Sequence, residues 1–452
     1  MGEERASGSN PKRRRLLFGL LALLLAVAAW WGPGLREAAA LSAIRGAIAD
    51  HDWAKAESLL RAGLPAGAEP TAPRARAAAA ERQFLLGRVF RRQRRFAEAE
   101  RCFEAAAALG WSGEEIDRQR MLARAQRGDV RVVEERISAL LAEGGDDAFA
   151  EDCYESLAEG FIGSFRMDDA RECLDFWSRW QPSNPLPSFW MGVIEERYER
   201  PVMALERFSK ALAMNPRDYE ARIRVARLEL DTAKLDDARR QFRACLEQRP
   251  DDPRAVIGLA DCLLRAGDLA ASRELYLDAL TTDVTKEQAA AALTELGQMA
   301  LEEGDVARGA GLLEQAVNVD HGGTRARLTL AGALLRLGDA EGAKRERDTA
   351  QRLAERQRRL ATITHEALGK PDDPNLRAEA GMILLDEGFE REGLEWLETA
   401  LRIAPTHAPS HRVLADHYAA SGEMERAAHH RGLAGDASRP GAAMVEAGGT
   451  AP

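Results

Sequence analysis

A chain of 452 residues with 45% apolar and 30% charged residues has too many apolar positions for a disordered polymer. It also has too much charge to lie wholly in a membrane. A formal net charge of −10 argues against general nucleic-acid binding, which leaves a basic footprint. The five cysteines, Cys102, Cys153, Cys173, Cys245 and Cys262, form no CxxC pair, which argues against a zinc ribbon or a thioredoxin-type site.

The first fifteen residues, 1–15, form a polar and basic tail ending in Lys12-Arg13-Arg14-Arg15. An unbroken apolar run from Leu16 to Trp31 follows, then Gly32-Pro33-Gly34-Leu35. Basic residues ahead of an apolar run hold the N-terminus in the cytoplasm, and Trp30 and Trp31 suit the far membrane–water interface. Residues 16–35 therefore read as a transmembrane anchor meeting the lipid bilayer from Leu16 to Leu35. The alternative is a signal segment cleaved near Ala40, where Ala38-Ala39-Ala40 offers small residues. Residues 36–79 read as a helical cap, with helical periodicity over Leu41–Leu60, and a linker punctuated by Pro65, Pro70 and Pro73.

From 80 to 433 one pattern recurs. Gly192, Ala204, Phe208, Ala211, Leu212 and Pro216 are matched 34 positions later by Ala226, Ala238, Phe242, Cys245, Leu246 and Pro250. Units start near 80, 114, 151, 185, 219, 253, 290, 324, 374 and 408, mostly in steps of 34, with two of 37 and one of 50. Small residues at Gly87, Gly192, Gly297 and Gly381 on first helices, and at Ala99, Ala170, Ala204, Ala238, Ala343 and Ala427 on second helices, permit close approach of two helices. Phe103, Phe208, Phe242 and Tyr276 then fill the space toward the neighbouring unit. Gly128-Asp129, Gly267-Asp268, Gly304-Asp305, Gly338-Asp339 and Gly422-Glu423 end first helices with residues suited to the left-handed conformation. Pro182, Pro216, Pro250 and Pro405 stop second helices. The step of 50 predicts a lengthened or extra helix between Ala343 and Pro374. Residues 434–452, rich in Gly, Ala and Pro, carry no apolar periodicity and read as a disordered tail.

This spacing resembles the tetratricopeptide repeat (TPR) family over most of the chain, in the form of a membrane-anchored bacterial member. The resemblance implies an all-α fold: a right-handed superhelical α-solenoid of helix–turn–helix units. It also implies that first helices line a concave groove. The family's groove positions fall here on Phe84, Arg88, Arg91, Phe189, Val193, Ile223, Arg227, Leu230, Ile257, Asp261 and Leu264, where inter-repeat packing is the competing role. The Lys/Asn clamp of chaperone-tail-binding members is absent, because Phe84, Phe189, Ile223 and Ile257 stand where its Lys belongs.

No catalytic motif stands in a usable context, and neither enzyme activity nor a cofactor is expected. Most cysteines take small apolar positions, so packed thiols are expected, with a Cys153–Cys173 disulfide as the alternative. Five of the eight histidines, His407, His411, His417, His429 and His430, lie in the last unit. His407 and His411 are spaced for a shared helix face, but Pro405 and Pro409 start the helix between them, so a polar capping helix is expected rather than a metal site. The run Arg91-Arg92-Gln93-Arg94-Arg95 reads as a solvated face, with an acidic partner or anionic headgroups as the alternative. The expected function is a non-catalytic, membrane-tethered scaffold for proteins or peptides, with the array outside the cytoplasm. Two alternatives follow: a periplasmic adaptor in polysaccharide or protein export, and a metal or redox sensor. The oligomeric state is left open.

Overall fold

The computed structural model describes residues 39–48, 52–63, 72–142, 144 and 147–435. The expected span from Leu16 to Leu35 and almost all of the expected tail lie outside these residues. Among the described residues there is no strand. Among them, too, no helix is long and apolar enough to cross a membrane.

The described residues fall into two compact units, divided between Ala123 and Arg124. The first contains α1 (39–48), α2 (Trp53–Ala62), α3 (Pro73–Arg92), α4 (Phe96–Ala108) and most of α5 (Gly113–Gln126). Ile44, Leu60, Phe84, Phe90, Phe103 and Ile116 share its core. α3 starts at Pro73, inside the stretch read as a linker. Proline's fixed φ suits the first helical turn. From that added turn Arg76 donates to the Ala108 carbonyl at 2.9 Å, satisfying the end of α4.

The second unit contains α6 (Val130–Ala142), α7 (Asp147–Gly163), α8 (Met167–Trp180), α9 (Leu186–Arg197), α10 (Pro201–Met214), α11 (Tyr219–Asp231) and α12 (Leu235–Gln248). It continues with α13 (Pro253–Arg265), α14 (Leu269–Ala279), α15 (Lys286–Glu302), α16 (Val306–Val319), α17 (Thr324–Leu337) and α18 (Ala340–Gly369). α19 (Pro374–Asp386), α20 (Glu390–Ile403), α21 (Ala408–Ala420) and α22 (Met424–Leu433) complete it. Odd-numbered helices from α7 onward are the first helices of hairpins, and each packs on its own even-numbered partner. Consecutive first helices such as α11, α13, α15 and α17 also touch one another, so they form the inner, more crowded layer of a curved array.

The turns show why these sequences make hairpins. Gly128, Gly267, Gly304, Gly338 and Gly422 have positive φ, as their positions ahead of an acidic residue predict, and Gly388 joins them. The next residue caps the following helix: Asp268, Asp305 and Asp339 accept from the amides of Ala271, Arg308 and Gly342. One dipeptide thus ends one helix and starts the next. Where glycine is missing, Arg94, Phe165, Glu199 and Ala233 take the same left-handed backbone.

Packing inside the hairpins is steric. A Cβ on Gly192 would lie 2.8 Å from the Phe208 ring, and one on Gly87 would lie 2.5 Å from the Phe103 ring. These aromatic rings fill their own hairpin, where the sequence pattern placed them toward the next unit. Phe242 does reach the next unit, lying against Gly258 of α13. The step of 50 is a single continuous helix, α18. Its distal half lies along α19, with Ile363 and Ala367 buried and Arg359 bidentate to Glu379 at 2.6 Å.

Candidate protein-interaction surface

The groove positions carried from the sequence divide into two groups. In the first unit Phe84 stacks on Trp111 at 5.0 Å, and Arg91 is fully buried, donating to Gln119 at 2.8 Å. Arg88 is half-buried. In the second unit Phe189 meets Phe208 edge-on at 5.3 Å, while Ile223, Leu230 and Ile257 are buried between helices. Val193 and Leu264 are half-buried against those cores. Asp261 is half-buried and accepts from the Tyr276 hydroxyl, with burial pushing its carboxyl above the usual range. Arg227 stands out in solvent, 3.6 Å from Asp231. Most of these side chains are therefore packing residues of the inner layer. Arg227, Asp261 and Leu264 are the members of the second unit that combine polarity or exposure with that layer.

An open apolar surface lies further along. Leu328 and Leu335 of α17, 51% and 49% exposed, project on the same face one heptad apart, with Gly332 between them. Leu328 and Gly332, with Leu301, Gln298 and Glu302 of α15 and with Thr329 and Arg336, line an open cleft of about 400 Å³, and Leu335 is exposed on the same face of α17 outside that lining. Leu301 and Leu335 occupy the twelfth position of the units starting at 290 and 324, and Leu328 the fifth. Extending the register used for Leu230 and Leu264 by two units would have found them. Arg336 donates to the Leu301 carbonyl at 3.2 Å, which fixes a cation beside Glu302 at the cleft's edge. A second open cleft, about 510 Å³, lies at the loop between α12 and α13. There Arg254 pairs with Asp252 and with Glu220.

The arginine run of α3 is committed to the fold. Besides buried Arg91, Arg92 lies 5.7 Å from the Trp53 ring, and Arg95 binds Glu57 at 2.8 Å and also Glu98. Arg94 is the member that stays exposed. The five cysteines are buried free thiols. Burial pushes Cys102 and Cys262 up to about 11, and Cys173 and Cys245 up to about 12, so these four stay protonated and unreactive at neutral pH. His407 caps α21 through Ser410, and His411 donates to the Pro405 carbonyl, so the two residues serve different ends of the loop. No group of three or more candidate metal ligands occurs among the described residues.

An all-helical array of hairpins with small-residue contacts and an open inner face is a repeat protein of the protein-binding class. The tetratricopeptide repeat family model matches residues 224–287, which include the second copy of the duplicated pattern, and the chain carries repeats of that type. Cellulose synthase operon protein C of Pseudomonas fluorescens (strain SBW25) is 23% identical over 237 residues, covering 48% of this chain. The match covers only 18% of that relative's own length. Among solved structures, the chain is similar to YrrB, described as a TPR protein with an unusual peptide-binding site. That likeness is 18% identical, over 46% of this chain and 96% of that one, with a TM-score of 0.28. MamA is 17% identical over 37% of this chain and 95% of its own, at a TM-score of 0.31.

Proposed function

We propose that the chain is a non-catalytic scaffold that receives an extended segment of a partner protein along the inner face of α13–α19. The cleft of Leu301 and Leu328, with Leu335 exposed on the same face of α17, carries this reading. Two half-exposed leucines on one helix face, with Glu302 and Arg336 at the rim, suit an extended segment that carries a large apolar side chain beside a charge. The run from Leu16 to Leu35 supplies a membrane tether and places the array outside the cytoplasm, in the periplasm of a Gram-negative cell. Tethering confines the array to the membrane plane and raises its effective concentration for partners held there. The match to cellulose synthase operon protein C favours one setting, an adaptor of polysaccharide export.

A photo-crosslinking residue at Leu335, in full-length protein in intact membranes, tests the cleft against the same residue at exposed Leu277 of α14. A discrete adduct at position 335, absent at 277 and lost in a Leu328→Glu background, is the expected result. Equal labelling at both positions overturns the groove. Protease added outside spheroplasts tests the topology separately: digestion of the array is expected, and an array left intact overturns its placement outside the cytoplasm.

A further inference from the structure

Five hairpins separate the α7–α8 hairpin from the α19–α20 hairpin, yet the two touch. Arg377 of α19 is 1% exposed and lies against two rings, 4.7 Å from the Phe165 centroid and 5.6 Å from that of Trp396. Phe165 and Trp396 themselves meet at 5.4 Å. The Arg377 guanidinium donates to the Ser164 carbonyl at 2.9 Å and to the Pro371 carbonyl at 2.7 Å. The turn after α5 and the start of α6 join the same contact: Arg131 of α6 lies 2.6 Å from Asp372, and Asp129 of the turn lies 3.6 Å from Arg402. First helices crowd the inside of the curve, so after six steps the path of the second unit has come round on itself. The turn edge of an early hairpin then meets the loop edge of a late one.

Two features distinguish this seam from permanent core. The Nε and Nη1 of Arg377 find no acceptor among the described residues, although the side chain is buried. Burial, with Arg402 nearby, holds its guanidinium well below the usual range, at about 10. Phe165 occupies the left-handed turn position, with φ of 62°, that glycine fills in six sibling turns. A bulky residue there is strained. The seam thus combines a cation packed against a pair of touching rings with unsatisfied buried donors on that cation and a strained backbone, a balance suited to two states rather than one.

We propose that the packing of the α7–α8 turn against α19 and α20 is a latch between successive turns of the superhelix, closed in this structure, whose release lets the array lengthen its pitch. In the released state Arg377 regains water for its orphaned donors, while Phe165 and Trp396 lose their partners. The ion pairs of Asp129 and Arg131 add a salt-sensitive part to the closed state.

Small-angle scattering of the full chain tests this with Phe165→Gly. That substitution suits the turn's backbone and removes the ring from the seam. Ala233→Gly is the control, because Ala233 has the same left-handed backbone, φ 59°, in a turn outside the seam. The expected result is a shift of the maximum dimension to longer distance in Phe165→Gly, with helix content by circular dichroism unchanged and Ala233→Gly matching wild type. Wild-type protein taken from about 0.01 M to about 1 M salt, over which the screening length falls from about 30 to about 3 Å, should shift the same way. Scattering of Phe165→Gly superimposable on wild type overturns the latch, as does an equal shift in Ala233→Gly. If Phe165→Gly loses helix content, the wild-type salt series decides: expansion supports the latch and an unchanged profile overturns it.

Discussion

The ring of Phe242 occupies the volume that any side chain at Gly258 would need, with a Cβ there falling 2.2 Å from the ring edge. That contact ties the second helix of one hairpin to the first helix of the next. It therefore holds the stack together and not merely one unit.

Gly258→Ala should for this reason destabilise the array by about 1–3 kcal/mol, the usual cost of overpacking a filled core. Gly332→Ala is the opposite case, because a Cβ at that helical position meets nothing within 4 Å. Alanine there should stabilise by up to about 1 kcal/mol through helix propensity alone. Urea midpoints of the two variants, moving in opposite directions, are the check. Equal shifts would show that propensity, and not the ring, decides at Gly258.

A second pair of substitutions separates packing from surface. Ile257, 8% exposed between α13 and its neighbours, should lose about 2–5 kcal/mol on change to alanine. Leu328→Ala, at a side chain 51% exposed, should change stability by no more than about 0.5 kcal/mol and instead weaken crosslinking from position 335. Thermal melts beside the crosslinking assay read both at once. A Leu328→Ala protein that melts like Ile257→Ala would make the cleft part of the core.

Much of the array was legible because it depends on residue types with one physical use each. Gly304 and Asp305 are a left-handed stop and an N-cap wherever they occur together, and Gly192 with Phe208 is a small residue facing a large one at fixed spacing. The candidate groove was less legible. Position in the unit separates inner from outer helices, but it does not say whether Ile223 or Leu328 is covered by a neighbour, since that depends on the local spacing of the first helices. The seam was invisible to the pattern. Phe165 breaks the glycine rule of its own turn, and its reason, Trp396, lies 231 positions away (396 − 165). Proline at 73 read as a break because the same residue serves a linker or a first helical turn.

The turn dipeptide itself is testable at Gly304-Asp305. Asp305 accepts from the Arg308 amide at 3.1 Å, so Asp305→Ala should cost about 1 kcal/mol, while Asp305→Asn, an equally good cap, should cost little. Gly304→Ala places a Cβ in the left-handed region at φ 89° and should cost about 1–2 kcal/mol. Hydrogen exchange at the first amides of α16 should rise in Asp305→Ala and stay near wild type in Asp305→Asn. A rise in both would assign the effect to charge rather than to the cap.

The last hairpin should respond to acid. His411 Nε2 faces the Pro405 carbonyl at 2.9 Å, so that nitrogen carries a proton, and in the neutral ring Nδ1 is left to accept from His430 Nδ1 at 2.9 Å. Burial, then His411, His429 and Arg426, hold the His430 pKa below its ordinary value. Tyr418 stacks on its ring from α21 at 5.6 Å, and the Glu390 carboxylate is engaged by His417 at 3.3 Å. A depressed histidine binds fewer protons folded than unfolded. Its contribution is therefore whole above the unfolded value of about 6.5 and is lost as pH falls from there through the lower folded value. Amides of α22 should lose protection as pH falls below about 6.5, after correction for the intrinsic exchange rate, while α16 keeps its protection. In His430→Leu the ring and its titration are gone, so α22 protection should become flat across that interval. An α22 that loosens with acid just as steeply in His430→Leu would place the sensitivity elsewhere in the cap.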